Sequence, residues 1–151
     1  MGILRGMASW DLGSDEALEV ILPRMESNVG DRWGGCWGIP LDSRPTIHVG
    51  VVRPTPDDIV SLTELATRHG FVVVVVGVRY SRSQLDAFIE RVAAVARSND
   101  SIYGFGPQYE MNKIGVMLNR QDPPTVTRLL AAVPADAVAF EIRLGGRFVA
   151  L

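Results

Sequence analysis

The chain has 151 residues, of which 47% are hydrophobic and 21% are charged, so it can form one domain or two small lobes around a shared core. Its formal net charge of -2 is too small to drive binding to nucleic acid or to an anionic membrane surface. A single cysteine, Cys36, excludes an internal disulfide and disfavours a cysteine-based metal site.

Two further features bear on localisation. The longest apolar run, residues 71–78, is far shorter than the roughly 20 residues that cross a bilayer. The first ten residues show no apolar core of a secretory leader. Together they predict a cytoplasmic protein that does not bind membranes, or a secreted one if a leader has been removed.

The first third of the chain predicts a helix and a hairpin. Ser14 or Asp15 can cap a helix whose apolar residues recur at helical spacing, and Pro23 is expected to kink or divide it. In residues 33–39 and 46–52 large apolar side chains alternate with other residues, as in strands, and residues 41–45 between them are typical of a turn. We assign residues 1–30 to an N-terminal helical arm and residues 31–80 to a first lobe.

The middle of the chain predicts helix, strand, helix. Thr55 followed by Pro56 is a strong signal for the start of a helix. Gly70 suits the left-handed backbone conformation in which many helices end. The predicted buried stripe of this helix comprises Ile59, Leu62, Leu65 and Ala66. Residues 71–78 are apolar on both faces, which predicts a strand inside a sheet rather than at its edge. Ser81 caps a long connecting helix over residues 81–98.

The last third, residues 99–151, predicts a second lobe. Its hairpin turns at Met111 and Asn112, and Asp122 followed by Pro123 starts another helix. The inward residues expected on that helix are Val126, Leu129, Leu130 and Val133. Residues 139–144 alternate as a final strand, and a short apolar tail follows over residues 147–151.

The two lobes resemble each other at a constant offset of 67 residues. This offset pairs Ile47 with Ile114, Thr55 with Asp122, and Val73 with Phe140. The sequence therefore predicts an α+β fold with duplicated ββαβ lobes. From Phe71 onward the order is β-α-β-β-α-β, which is ferredoxin-like and would place helices on one face of an antiparallel sheet.

Aromatic residues concentrate on the two hairpins and have two interpretations. Trp33, Trp37, Tyr103 and Phe105 either pack beneath the helices or form an exposed partner-binding surface. The tail residues Arg147, Phe148 and Leu151 likewise belong to an internal edge strand or to a strand that adds to another protein.

Catalytic chemistry is weakly indicated. His48 and Cys36 have no recognisable partners in the local sequence, and no glycine-rich stretch matches a phosphate-binding loop. We therefore predict no catalytic, cofactor or metal residue. Three functions remain open: a protein-binding module, a small-molecule-binding ferredoxin-like domain, and a small enzyme using scattered residues such as Tyr109 and Glu110.

A family resemblance favours the first of these. Residues 33–35 (Trp-Gly-Gly), 47–51 (Ile-His-Val-Gly-Val), 80–85 (Tyr-Ser-Arg-Ser-Gln-Leu) and 102–116 resemble the pro-regions of actinobacterial secreted chymotrypsin-like serine peptidases, of the alpha-lytic and streptogrisin type. The resemblance covers roughly residues 31–144, here without a peptidase domain. It implies two linked lobes that act as an inhibitor or folding helper, with a sheet edge pairing to the peptidase and the C-terminal tail, residues 145–151, in its active site.

Overall fold

The helices and strands follow one another in a pattern that repeats once. The computed structural model describes residues 15–41, 44–144 and 147–150. In chain order the elements are α1 (Asp15–Val29), β1 (Trp33–Leu41), β2 (Arg44–Val52), α2 (Pro56–Arg68), β3 (Val72–Val78), α3 (Arg82–Ala96), β4 (Ile102–Gln108), β5 (Lys113–Leu118), α4 (Pro123–Ala132), β6 (Val138–Leu144) and β7 (Arg147–Ala150). The class is α+β, as predicted.

The chain divides into two compact units between Ser83 and Gln84. The unit before this boundary, with α1 to β3, is called the first lobe, and the unit from Gln84 onward is called the second lobe. Helix α1 contributes Leu18, Ile21 and Met25 to the buried core of the first lobe. Pro23 does not divide α1, because it lies on the exposed side of the helix, where water can satisfy the carbonyl that loses its bond.

The sheet of the first lobe has the order β1-β2-β3. Strands β1 and β2 form an antiparallel hairpin, whereas β3 runs parallel to β2 because α2 carries the chain back across the sheet. On β2, Ile47, Val49 and Val51 are fully buried in one cluster with α1 and α2. Both helices therefore cover the same face of this sheet.

The position of β3 corrects a prediction. Residues 71–78 were expected inside a sheet, but β3 lies at its edge and pairs with β2 alone within the described chain. Val73 and Val75 pack against the core, while Val72 and Val74 are 39% and 40% exposed. A run of valines reflects the preference of β-branched side chains for strands, and this preference holds at an edge as well as in the interior.

The sheet of the second lobe has the order β4-β5-β6-β7. Its hairpins β4–β5 and β6–β7 are antiparallel, and β5–β6 is parallel across α4. The ββαβ unit is thus present twice, as predicted, and both sheets are mixed rather than purely antiparallel. The order β-α-β-β-α-β from β3 onward is also present, but its first strand belongs to the sheet of the first lobe.

A shared irregularity supports the internal repeat. The first hairpin has a register shift between Trp33 and Cys36, and the second has one between Ile102 and Gly104. Both shifts lie beside positions that the offset of 67 makes equivalent, Val51 on β2 and Leu118 on β5. The offset of 67 holds over β2 and the start of α2 but not over the flanking strands: Ile47 pairs with Gly38 and Val73, whereas Ile114 pairs with Pro107 and with Val138, not Phe140. The second crossover is therefore two residues shorter.

Three predicted helix ends are confirmed, the starts of α2 and α4 and the end of α2, whereas the predicted cap Ser14 lies outside the described residues. Thr55 and Asp58 form a reciprocal capping box at the start of α2, and Asp122 accepts a hydrogen bond from the backbone N–H of Thr125 at the start of α4. At the end of α2, Gly70 has φ +78° and the N–H of Phe71 donates to the carbonyl oxygen of Ala66 at 3.0 Å. This is the glycine-terminated end that the sequence predicted.

The predicted buried stripes are only partly right. Leu62, Leu65, Ala66, Leu129 and Val133 are buried, as expected. In contrast, Ile59 is 47% exposed and Leu130 is 43% exposed. On α4 the buried stripe includes Thr125 instead, because its hydroxyl is paired with Asn99 and Asp122 and so can leave water without losing its hydrogen bonds.

In each lobe a polar clasp ties the residue before the first strand to the start of the crossover helix, through Arg32 and Asp58 in the first lobe and Ser101 and Asp122 in the second. In the first lobe this clasp consists of Arg32, Thr55 and Asp58: the two terminal nitrogens of Arg32 donate to Asp58 at 2.7 and 2.8 Å. The Arg32 guanidinium, followed by the backbone N–H of Thr55, holds the pKa of Asp58 well below its ordinary value. The carboxylate is therefore charged throughout the usual pH range.

The clasp predicts an acid-dependent stability. Because the pKa of Asp58 is lowered on folding, the unfolded chain binds the proton more readily, and stability falls as the pH drops below about 4. Asp58→Asn should lower the free energy of unfolding by about 2 kcal/mol at pH 7, and this difference should shrink at lower pH. Urea titrations at several pH values measure it.

The neighbouring Asp57→Asn serves as the matched control, since Asp57 lies in the same first turn but is exposed. A gap between Asp58→Asn and the unmodified protein that stays constant from pH 7 to about pH 3 would contradict the assignment.

Tight backbone packing in the first sheet gives a second prediction. A Cβ added to Gly34 would lie 2.5 Å from a methyl group of Val78, whereas one added to Gly77 would meet nothing closer than Pro54 at 3.6 Å. Gly34→Ala should therefore lower the free energy of unfolding by about 1–3 kcal/mol, while Gly77→Ala should change it by less than about 0.5 kcal/mol. Urea unfolding of both variants checks this, and equal stabilities would refute the packing.

Candidate binding surface

The aromatic residues of the hairpins do not form an exposed surface. Trp33 belongs to the core cluster of the first lobe, Trp37 is buried, and Phe105 is only 2% exposed. Of the four rings predicted for partner binding, Tyr103 alone is exposed, at 41%. The register explains this: Trp33 and Phe105 pair with Val51 and Val116, which face the buried side of their sheets.

Trp37 packs against His48 on the other face of the first sheet. The two residues are register partners across β1 and β2, and their rings stack at 5.7 Å with an interplanar angle of 20°. Burial lowers the pKa of His48, and its Nδ1 is buried without a hydrogen-bond partner among the described residues. A neutral imidazole therefore packs here as an aromatic ring.

Cys36 and His48 do not form a catalytic pair. Cys36 lies in the core cluster with Val49, its register partner, whereas His48 immediately precedes Val49 on β2 and points to the opposite face. Burial raises the pKa of the Cys36 thiol to about 11, so it is protonated at neutral pH. Tyr109 and Glu110, the other residues of the enzyme hypothesis, lie in the turn after β4 in the second lobe.

The C-terminal tail is part of a sheet. Residues 147–150 form β7 and pair antiparallel with β6, from Leu144 opposite Arg147 to Glu141 opposite Ala150. The backbone of Arg147 and Phe148 is thus already hydrogen-bonded within the second lobe, and Leu151 lies outside the described residues. This is the internal edge strand, not a free tail.

The open edge of β3 remains as a candidate binding surface, defined here by Val72, Val74 and the outer backbone of residues 72–78. Val74 pairs with His48 across the parallel ladder, so Val72 and Val74 lie on the sheet face opposite the helices. The sequence did not indicate this surface because the strand was expected in the interior. The signal was present, however, since a hairpin followed by one crossover helix leaves the third strand beside the second and at an edge.

Other kinds of site have little support in the described chain. Among its residues, no group of three or more His, Cys, Asp and Glu side chains is arranged to hold a metal ion. None of its helices has the length and apolar character needed to cross a bilayer. A comparison of the whole sequence with protein-family models and with curated protein sequences finds no match.

The burial of Cys36 predicts low thiol reactivity. The folded protein at pH 7.5 should react with an aromatic disulfide reagent at least about a hundredfold more slowly than the protein in denaturant, because the thiol is both protonated and inaccessible. Absorbance of the released thiolate measures both rates. Native labelling as fast as that of the unfolded chain would show that the thiol is accessible.

Proposed function

We propose that this protein is a non-catalytic protein-binding module that binds an extended segment of a partner along the open edge of β3. One observation carries the proposal: this seven-residue strand pairs on one side only within the described chain, next to two exposed valines. An extended segment can add to such an edge through backbone hydrogen bonds, while its side chains contact those of the strand.

The composition of β3 supports this use of its edge. Sheet edges are commonly protected against unwanted pairing by lysine, proline or a bulge. The strand reads Val-Val-Val-Val-Val-Gly-Val, with no charge and no proline, and its pairing with β2 runs without a register shift. An edge that lacks these protective features is suited to pairing with a partner.

The resemblance to peptidase pro-regions suggests the class of partner. In that family a sheet edge pairs with a chymotrypsin-like serine peptidase, and the module inhibits the enzyme or assists its folding. The edge of β3 is the better candidate for this contact in our protein, because residues 147–150 would have to leave β6 before they could enter an active site.

An inhibition assay tests the proposal. The protein is titrated into a panel of chymotrypsin-like peptidases and residual activity is measured. Val74→Lys places a charge on the exposed edge and should raise the inhibition constant at least about tenfold. Val60→Lys is the matched control, since Val60 is 55% exposed on α2 and should leave inhibition unchanged.

A third variant lacking residues 146–151 separates the two possible contacts. Inhibition that survives this truncation but is weakened by Val74→Lys supports the edge of β3. Inhibition lost on truncation and unaffected by Val74→Lys would assign the contact to the tail instead. If no form inhibits any peptidase of the panel, and circular dichroism verifies that each form is folded, then a chymotrypsin-like peptidase is excluded as the partner.

A further inference from the structure

A cavity of about 300 Å³ opens between α1 and α2 in the first lobe. The side chains that line it are mostly polar: Arg24, Asn28, Ser61, Glu64, Leu65 and Arg68. This volume is at the lower end of the range for small-molecule sites, about 300–1,000 Å³. Four of the lining residues, Arg24, Asn28, Glu64 and Arg68, are exposed, so the cavity is open to solvent and suits a compact ligand.

Helical spacing explains how these residues meet. Arg24 and Asn28 are one turn apart on α1, while Ser61, Leu65 and Arg68 follow one another along one side of α2. Leu65 is buried and belongs to the core cluster that joins the two helices. The polar side chains are thus carried on a packed helix pair, which holds both rows beside one cavity.

The two arginines of this cavity differ from others in the same lobe. Arg32 is paired with Asp58 at 2.7 Å, and Arg82 is 3.9 Å from Glu26. Within the described part of the chain, the guanidinium groups of Arg24 and Arg68 form neither a hydrogen bond nor an ion pair. Two cationic groups from different helices therefore converge on a cavity with their donors unused.

We infer that this cavity binds a small oxyanion, carried by a phosphate ester or a carboxylate. The planar guanidinium groups of Arg24 and Arg68 can donate paired hydrogen bonds to such a group. Asn28 and Ser61 add neutral donors at the same cavity. This inference goes beyond the proposed protein-binding function and uses a different part of the lobe.

Glu64 sets a limit on affinity. It is the one carboxylate among the residues that line the cavity, and it lies one turn before Arg68 on α2. Its negative charge repels an oxyanion and competes for the same guanidinium groups. Neutralising Glu64 should therefore strengthen binding, which a purely structural role for this cavity would not produce.

Calorimetry at low ionic strength tests the site with two probes, inorganic phosphate and citrate. The protein should bind at least one of them saturably, with a dissociation constant below about 10 mM. Arg24→Gln and Arg68→Gln should each weaken binding about tenfold or more, and Glu64→Gln should tighten it severalfold. Arg97→Gln, an exposed arginine of the second lobe, is the control and should have no effect.

Amide chemical shifts locate the bound anion, which should perturb residues 24–28 and 61–68 and leave the second lobe unchanged. Preference for phosphate or for citrate then identifies the group that is recognised. Three results would overturn the inference: no saturable binding, equal affinity for the unmodified protein and an Arg24→Gln/Arg68→Gln double variant, or an equal loss with Arg97→Gln. Peptidase inhibition by the arginine variants should be unchanged, so the two proposals fail independently.

Discussion

In each lobe a polar clasp joins the start of the sheet to the start of the crossover helix. In the first lobe, Arg32 immediately precedes β1 and binds Asp58 in the first turn of α2. In the second lobe, Ser101 immediately precedes β4 and donates to Asp122, the residue that caps α4, at 2.7 Å. The same two points of the fold are joined by an ion pair in one lobe and by hydroxyl hydrogen bonds in the other. Each clasp ties the first turn of the crossover helix to the residue before the first strand, and the crossover helix then returns the chain so that the third strand runs parallel to the second.

Much of the fold could be predicted because its signals are local. Helix caps such as Thr55, the glycine at Gly70 and the alternation of the hairpin strands each depend on a few neighbouring residues. The repeat followed because these signals recur at one offset. The shift to a different offset at the last strand could not be read from the pattern, since Phe140 and Val138 are both apolar and occupy the same face of β6.

The sequence was less informative about positions that depend on the whole sheet. Whether β3 ends a sheet is decided by strand order, and whether Trp33 is exposed is decided by the face on which it pairs. The cavity between α1 and α2 was still harder to predict from the sequence, because only the packing of the two helices brings Arg24 and Arg68 to it. Both proposed sites depend on tertiary contacts between ordinary helix and strand residues, so no short motif marks them.

The boundary at Ser83 has a consequence for biosynthesis. All residues of the first hydrophobic cluster, from Leu18 to Phe71, are translated before the second lobe is complete. Domains generally fold as units during synthesis, beginning with the N-terminal one. The first lobe can therefore bury its core on the ribosome while the second lobe is still emerging. Once residue 83 has left the exit tunnel, the nascent chain on a paused ribosome should already resist protease.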